Sequence, residues 1–176
     1  FDISEICGEM STLLRYSISK DNIEPTIESE MSIASIYMDL MYRRYHDRLS
    51  YNIKMDPKIA KIRVPRMILQ PILENCFKHA FNSSSDWNID VDGYAIDDSW
   101  YIRVTDNGIG IKENVIKAIY KAFESASTTS PIKNTKLEGV GLINIAIRLK
   151  LEFGNKACFN ISNNKDSGTT IVIGVK

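Results

Sequence analysis

Three short runs carry the residues able to do chemistry. In Leu69-Gln70-Pro71-Ile72-Leu73-Glu74-Asn75-Cys76-Phe77-Lys78-His79, the polar trio Asn75, Lys78 and His79 is spaced i, i+3, i+4. On a helix those positions share a face. An Asn carbonyl is a hard, neutral oxygen ligand suited to Mg²⁺, which keeps most of its waters and takes further ligands from phosphates. Lys78 can offer a point charge to the same phosphates, and His79 a hydrogen bond. In Asp106-Asn107-Gly108-Ile109-Gly110, the carboxylate can accept a hydrogen bond from an exocyclic amine such as that of adenine. Gly108 and Gly110 would let the backbone approach a flat base or adopt positive φ. Gly139-Val140-Gly141-Leu142 opens a helix, whose first amides bind phosphate readily. Each run alone has a plainer reading: a solvated helix face, an ordinary Asp-Asn-Gly turn, a flexible hinge. Jointly they describe a nucleotide site with a metal ligand, a base reader and two backbone cradles.

The elements that must position these runs follow from hydrophobic period. Ile68, Leu69, Ile72, Leu73, Cys76, Phe77 and Ala80 form one apolar stripe, which predicts a helix over 68–80. Residues 6–19 read as a helix, and Thr26 caps a second one running to about Tyr45. Residues 49–55 alternate as a half-buried strand. After a polar turn over 82–87, residues 89–96 and 100–105 read as a hairpin around Asp97-Asp98, and 112–123 as a short helix. Residues 124–138 are rich in Ser, Thr and Lys without periodicity, and a loop of that length in a small domain is functional or mobile. A helix over 141–153 and strands over 157–162 and 169–175 close the chain. The expected architecture is an α/β two-layer sandwich. Its mixed, mostly antiparallel sheet packs on about three helices, and a helical segment precedes it. The expected division is 1–47 for that segment and 48–176 for the site-bearing domain.

Composition narrows the classes. Lys plus Arg and Asp plus Glu both number 22, so the zero net charge gives no electrostatic footprint for nucleic acid. No apolar run approaches the roughly 18 residues that span a bilayer. Cys7, Cys76 and Cys158 are scattered and odd in number, which reads as reduced, cytosolic thiols. The chain starts at Phe1 without an initiator Met or a signal peptide, so it is expected to be a fragment.

In this order the three runs resemble the N box and the two glycine boxes of the GHKL superfamily, whose fold is the Bergerat ATP-binding fold. Gyrase, MutL and the histidine kinases are members. The finer resemblance is to sensor histidine kinases of the LytS and YesM type. It rests on Pro65-x-x-Ile68-Leu69-Gln70-Pro71-x-Leu73-Glu74-Asn75-x-x-Lys78-His79 and on Gly139-x-Gly141-Leu142-x-Asn144-x-x-x-Arg148-Leu149. It extends to Leu14-Arg15-Tyr16-Ser17 and Arg48-Leu49-x-Tyr51, and so covers nearly the whole chain.

The resemblance implies ATP and Mg²⁺ as ligands. Asn75 would hold the metal, while Lys78 and His79 would face the phosphates. Asp106 would take the adenine amino group in a pocket shaped by Gly108 and Gly110. Residues 124–138 would be the ATP lid. Gly139, Gly141 and Leu142 would meet the phosphates, and Thr169 would lie near the adenine. Glu74, beside the metal ligand, joins Asn75 and Lys78 as a catalytic candidate, as a base or a support for the ligand. The implied reaction is γ-phosphoryl transfer to a histidine on an upstream helix, then relay to a response regulator. Only His46 and His79 are present, and neither resembles the phosphoacceptor motif. Residues 1–19 would then begin within the second dimerisation helix, after the acceptor. The full-length protein would be a homodimer, and this part the cytoplasmic domain of a membrane-anchored sensor, itself spanning no membrane. Cys76 stands where the family has Ala, and Ala80 where it often has Gly. A GHKL ATPase is the alternative, but its base four residues before the metal Asn is here Pro71. A nucleotide-binding scaffold without catalysis, or a globular domain with no nucleotide, are the remaining readings.

Overall fold

The computed structural model describes residues 3–19, 25–80, 86–126 and 139–176. Five strands form one sheet in the order β1-β2-β3-β5-β4. They are β1 (Leu49–Met55), β2 (Trp87–Ile96), β3 (Ser99–Asp106), β4 (Ala157–Asn163) and β5 (Thr169–Val175). β1 runs parallel to β2, from Leu49 opposite Trp87 to Met55 opposite Gly93, and the other pairs are antiparallel. Alternation decides the two faces. Ile89, Val91, Ile102, Val104, Ile171 and Ile173 are buried on one side. The intervening positions, such as Asn52, Asp92, Arg103 and Thr170, form a polar opposite face. The β2–β3 turn is set by Asp97 at φ +52°, a left-handed position that Asp tolerates.

Among the described residues helices cover the apolar face only, which makes two layers. α2 (Ile27–Tyr45), α3 (Gln70–Asn75), α4 (Glu113–Ser125) and α5 (Val140–Phe153) all contribute to one core. α2 begins with a reciprocal cap: the Ser29 amide donates to Thr26 Oγ1 at 3.3 Å and the Thr26 amide to Ser29 Oγ at 3.0 Å. Its Ile27, Ala34 and Met38 are fully buried in the same core as the sheet. α1 (Ile3–Ile18) differs, since none of its residues is buried. Arg43 of α2 reaches Glu9 at 3.0 Å and Glu5 at 3.4 Å along it. Among the described residues no helix is long and apolar enough to cross a membrane.

Two sequence expectations change. Trp87 is the first residue of β2, not part of the preceding turn, and is buried under Tyr45 with ring centroids 4.7 Å apart. The helix expected over 68–80 is α-helical only from Gln70 to Asn75, followed by a π-helical turn over Cys76–Ala80. Met67, at φ +61°, lies outside the helical region, and the helix is capped at Leu69; the Glu30 carboxylate takes the amides of Ile68 and Leu69, at 2.8 and 3.2 Å, which a helix start leaves without backbone partners. Pro71 in the first turn loses nothing there, since that amide has no helical partner anyway. The π turn widens the spiral, so the shared i, i+3, i+4 face of Asn75, Lys78 and His79 does not hold as an ideal α-helix would set it. The expected lid falls mainly on 127–138 and the turn after the nucleotide helix on 81–85, both outside the described residues, as is the side chain of His79.

Ile102, at the centre of β3, is fully buried. Ile102→Ala is expected to cost about 2–5 kcal/mol, read as a lower urea midpoint with an unchanged denaturant slope.

Candidate functional site

β3 ends on Asp106, and the sheet carries this carboxylate into the core beneath α3. Asp106 is 4% exposed. Its Oδ1 accepts the amides of Gly108 at 2.8 Å and Thr169 at 3.3 Å. Its Oδ2 meets the Cys76 thiol at 3.8 Å. A thiol is a weak donor, so among the described residues Oδ2 keeps most of its accepting capacity. Burial pushes the Asp106 carboxyl above its ordinary value, against the Gly108 and Thr169 amides and the Cys76 thiol, which pull it down. Burial, and then the neighbouring carboxylate, push the Cys76 thiol far up, so it stays protonated. For a carboxylate with a raised folded value, ionisation opposes folding. The penalty is absent below the ordinary carboxylate pKa and complete once pH exceeds the raised one.

The loop after Asp106 is braced from both sides. Asn107 clamps it to the start of β2: its Oδ1 accepts the Asn88 amide and its Nδ2 donates to the Asp86 carbonyl, each at 2.8 Å. From the β4–β5 turn, Asn164 Nδ2 donates to the Asp106 carbonyl at 3.2 Å, and Ser167 Oγ to that of Asn107 at 3.2 Å. Asn163 pairs with both backbone groups of Ile111, at 2.8 and 2.9 Å. Gly110 sits at φ +83°, where a Cβ would also come within 2.9 Å of Asn163 Oδ1. Gly108 is buried beside the carboxylate. Thr169 is 2% exposed, and its amide is the second donor to Asp106.

α3 links the other two runs to this carboxylate. Cys76, at its end, touches Asp106, while Pro71, in its first turn, lies 3.5 Å from where a Cβ on Gly141 would stand. The half-buried Asn75 carboxamide makes no hydrogen bond among the described residues. Lys78 is mostly exposed and pairs with Glu74 at 3.0 Å, and Glu74 also accepts from Gln70 Nε2 at 3.2 Å. An exposed i, i+4 pair is worth little, so Lys78 is free to leave it for a phosphate. Gly139 caps α5 at φ +85° with no side-chain cap, and a Cβ there would meet Val115 Cγ1 at 2.9 Å. The amides of Val140, Gly141 and Leu142 are first-turn donors without helical partners. The Leu142 side chain is 1% exposed and belongs to the core, so only its backbone is placed to meet a ligand.

The donor set fits a magnesium nucleotide. A carboxamide oxygen without a hydrogen bond among the described residues, an exposed lysine three residues on and an uncapped helix start suit an ion that takes waters and phosphate oxygens rather than an all-protein cage. The sequence reading missed Cys76 as a wall of the Asp106 pocket, although its place on the apolar stripe points it inward. It also missed Gly168, at φ +94°, where a Cβ would fall 1.9 Å from the Asp106 carbonyl oxygen. The signal was the Asp166-Ser167-Gly168 turn just before Thr169.

Residues 60–176 match the family described as histidine kinase-, DNA gyrase B-, and HSP90-like ATPase, and the chain belongs to it. Over 174 residues, 98% of the chain, it is 27% identical to the sensor histidine kinase YesM of Bacillus subtilis. Over 148 residues, 83% of the chain, it is 32% identical to the sensor protein LytS of Staphylococcus epidermidis. It spans about a quarter of these relatives, 27% and 23% of their lengths. Its fold is that of the catalytic domain of histidine kinase ThkA (TM-score 0.61, 13% identity, 87% of this chain and 93% of that one). A mycobacterial sensor histidine kinase, MprB, shares it too (TM-score 0.58, 18% identity, 87% and 97%).

Gly168→Ala is expected to displace the β4–β5 turn from Asp106, since both the left-handed φ and the backbone contact exclude a methyl group. The loss should be about 2 kcal/mol or more, measured as a fall in melting temperature.

Proposed function

We propose that this domain binds Mg²⁺-ATP and transfers its γ-phosphoryl group to a histidine on a helix outside these residues, for relay to a response-regulator aspartate. The observation that carries the reading is Asp106: a buried carboxylate with one oxygen held by two backbone amides and the other met, among the described residues, by the weak Cys76 thiol donor. Desolvated carboxylates of this kind mark functional sites. The name of YesM, a sensor histidine kinase, supports the kinase assignment.

In this reading Asp106 Oδ2 accepts the adenine amino group, and Gly108, Gly110 and Thr169 form the pocket around it. Asn75 would hold Mg²⁺, which would supply charge neutralisation for the phosphates. Lys78 and His79 stabilise the phosphate oxygens, and the backbone at Gly139, Gly141 and Leu142 cradles them. An imidazole nitrogen attacks the γ-phosphorus as the bond to the ADP oxygen breaks, and ADP leaves. Such transfer needs positioning and charge neutralisation more than a protein base. Glu74, tied to Lys78 and Gln70, keeps the lysine poised rather than activating water. Pro71, in the place of a hydrolytic base, favours transfer over hydrolysis. Along the chain, residues 1–47 would join the site-bearing 48–176 to an upstream dimerisation and phosphoacceptor domain, with a homodimer as the working form. The whole would sit as the cytoplasmic part of a membrane-anchored sensor.

Asn75→Ala should lower phosphohistidine formation on a supplied acceptor helix by about a hundredfold or more, as loss of a few kcal/mol of charge stabilisation requires. Labelled γ-phosphate transfer measures it, and an unchanged rate removes Asn75 as the metal ligand.

A further inference from the structure

Leu14-Arg15-Tyr16-Ser17 and Arg148 resemble family motifs, yet neither lies in the nucleotide site. Both converge on the turn that launches α3. The carboxylate of Glu30, in the first turn of α2, is 1% exposed and gathers three successive backbone amides of that turn: Met67 at 2.7 Å, Ile68 at 2.8 Å and Leu69 at 3.2 Å. Met67 is held at φ +61°. For an unbranched but bulky residue this is an uncommon backbone state, and it persists only where the surroundings over-determine it. Arg148 of α5 donates to the Arg66 carbonyl from the other side.

The remaining support comes from α1. The Tyr16 phenol donates to Glu30 Oε1 at 2.5 Å and lies 3.3 Å from Ser29 Oγ. Arg66 closes the loop: its guanidinium donates to the Tyr16 carbonyl at 3.0 Å and stacks 4.9 Å from the Tyr16 ring centre. Burial, and then the bond to Glu30, push the Tyr16 phenol well above its ordinary value, so it remains a donor. Thus one carboxylate is shared between a side chain of α1 and the backbone that orients α3. α1 buries no residue of its own. A helix of its length is marginal in water alone, so its order depends on this contact, on Leu13, which packs partly buried against the core, and on the Arg43 pairs.

We propose that Tyr16, Glu30 and the 66–69 turn form a coupling element in which the docking of α1 sets the placement of α3, and with it Asn75. The proposal rests on the nucleotide reading of the site. Glu30 is a positioning residue, and Tyr16 is the point where a displacement of α1 enters. Coupling of this kind is reciprocal: docked α1 favours nucleotide binding, and bound nucleotide favours docked α1.

Tyr16→Phe removes only the hydroxyl and keeps the ring under Arg66. Hydrogen exchange resolved by residue is compared in the unaltered chain and the variant, with and without AMP-PNP and Mg²⁺. Without nucleotide, the amides of Met67, Ile68 and Leu69 should exchange on the order of tenfold faster in the variant, while those of β3 stay as they were. AMP-PNP should slow exchange in α1 of the unaltered chain and not in the variant, and its dissociation constant should rise severalfold. Unchanged exchange at 67–69 overturns the link, as does equal protection of α1 by nucleotide in both proteins. If the unaltered chain does not bind AMP-PNP, the nucleotide reading falls, and exchange at 67–69 alone decides whether Tyr16 holds the turn.

Discussion

A desolvated carboxylate at the end of a central strand is the constraint on which this structure turns. Asp106 cannot be buried without donors, and each donor comes from a different part of the chain: Gly108 from its own loop, Thr169 from β5 and Cys76 from the end of α3. Satisfying one side chain therefore fixes the loop after β3, the β4–β5 turn and the floor of α3 relative to one another. Gly168 is the steric counterpart, since only a residue without Cβ lets the turn reach the Asp106 carbonyl. Burial still raises the carboxyl above its ordinary value, so the ionised form opposes folding at neutral pH. An asparagine would hold the same backbone donors without that cost. A buried carboxylate with one oxygen met, among the described residues, by a weak thiol donor is understood best through what it binds.

A second buried carboxylate, Glu30, does for the start of α3 what Asp106 does for its end. Three backbone amides converge on it, which satisfies the start of the helix and braces the left-handed Met67. α3 is short, but both of its ends are fixed by carboxylates from other elements, and Asn75 stands between them. The sheet supplies the rest of the rigidity: its apolar face packs on α2, α3, α4 and α5, and its polar face needs no cover.

Much of this was legible in the sequence, because period carries it. The alternation in 49–55 and 169–175, the Asp97-Asp98 turn and the Thr26 cap each have a local cause, and each is where it was expected. Asp106, Gly110 and Gly139 were singled out by residue type, and the structure gives Asp106 its burial and both glycines their positive φ. What was not legible is non-local. An apolar stripe over 68–80 cannot report that Glu30, some forty positions earlier, takes the first amides, nor that the helix widens into a π turn after Asn75. Trp87 was placed in a turn because its strand partner Leu49 and its ring partner Tyr45 are far away in sequence. Leu142 reads from the sequence both as an inward position of the helix over 141–153 and, by motif, as part of the phosphate cradle, and its side chain belongs to the core.

The central claim is that Asp106 reads the base of a bound nucleotide. Calorimetric titration of the unaltered chain and Asp106→Asn with AMP-PNP and with inorganic triphosphate, both with Mg²⁺, tests it most directly. With Oδ1 held by two backbone donors, the asparagine amide nitrogen takes the place of Oδ2 and faces an amine with another donor. The account predicts that AMP-PNP affinity falls by about tenfold or more, that triphosphate binding is unchanged, and that the variant is at least as stable at neutral pH. Equal losses for both ligands, or undiminished AMP-PNP binding in the variant, would contradict it.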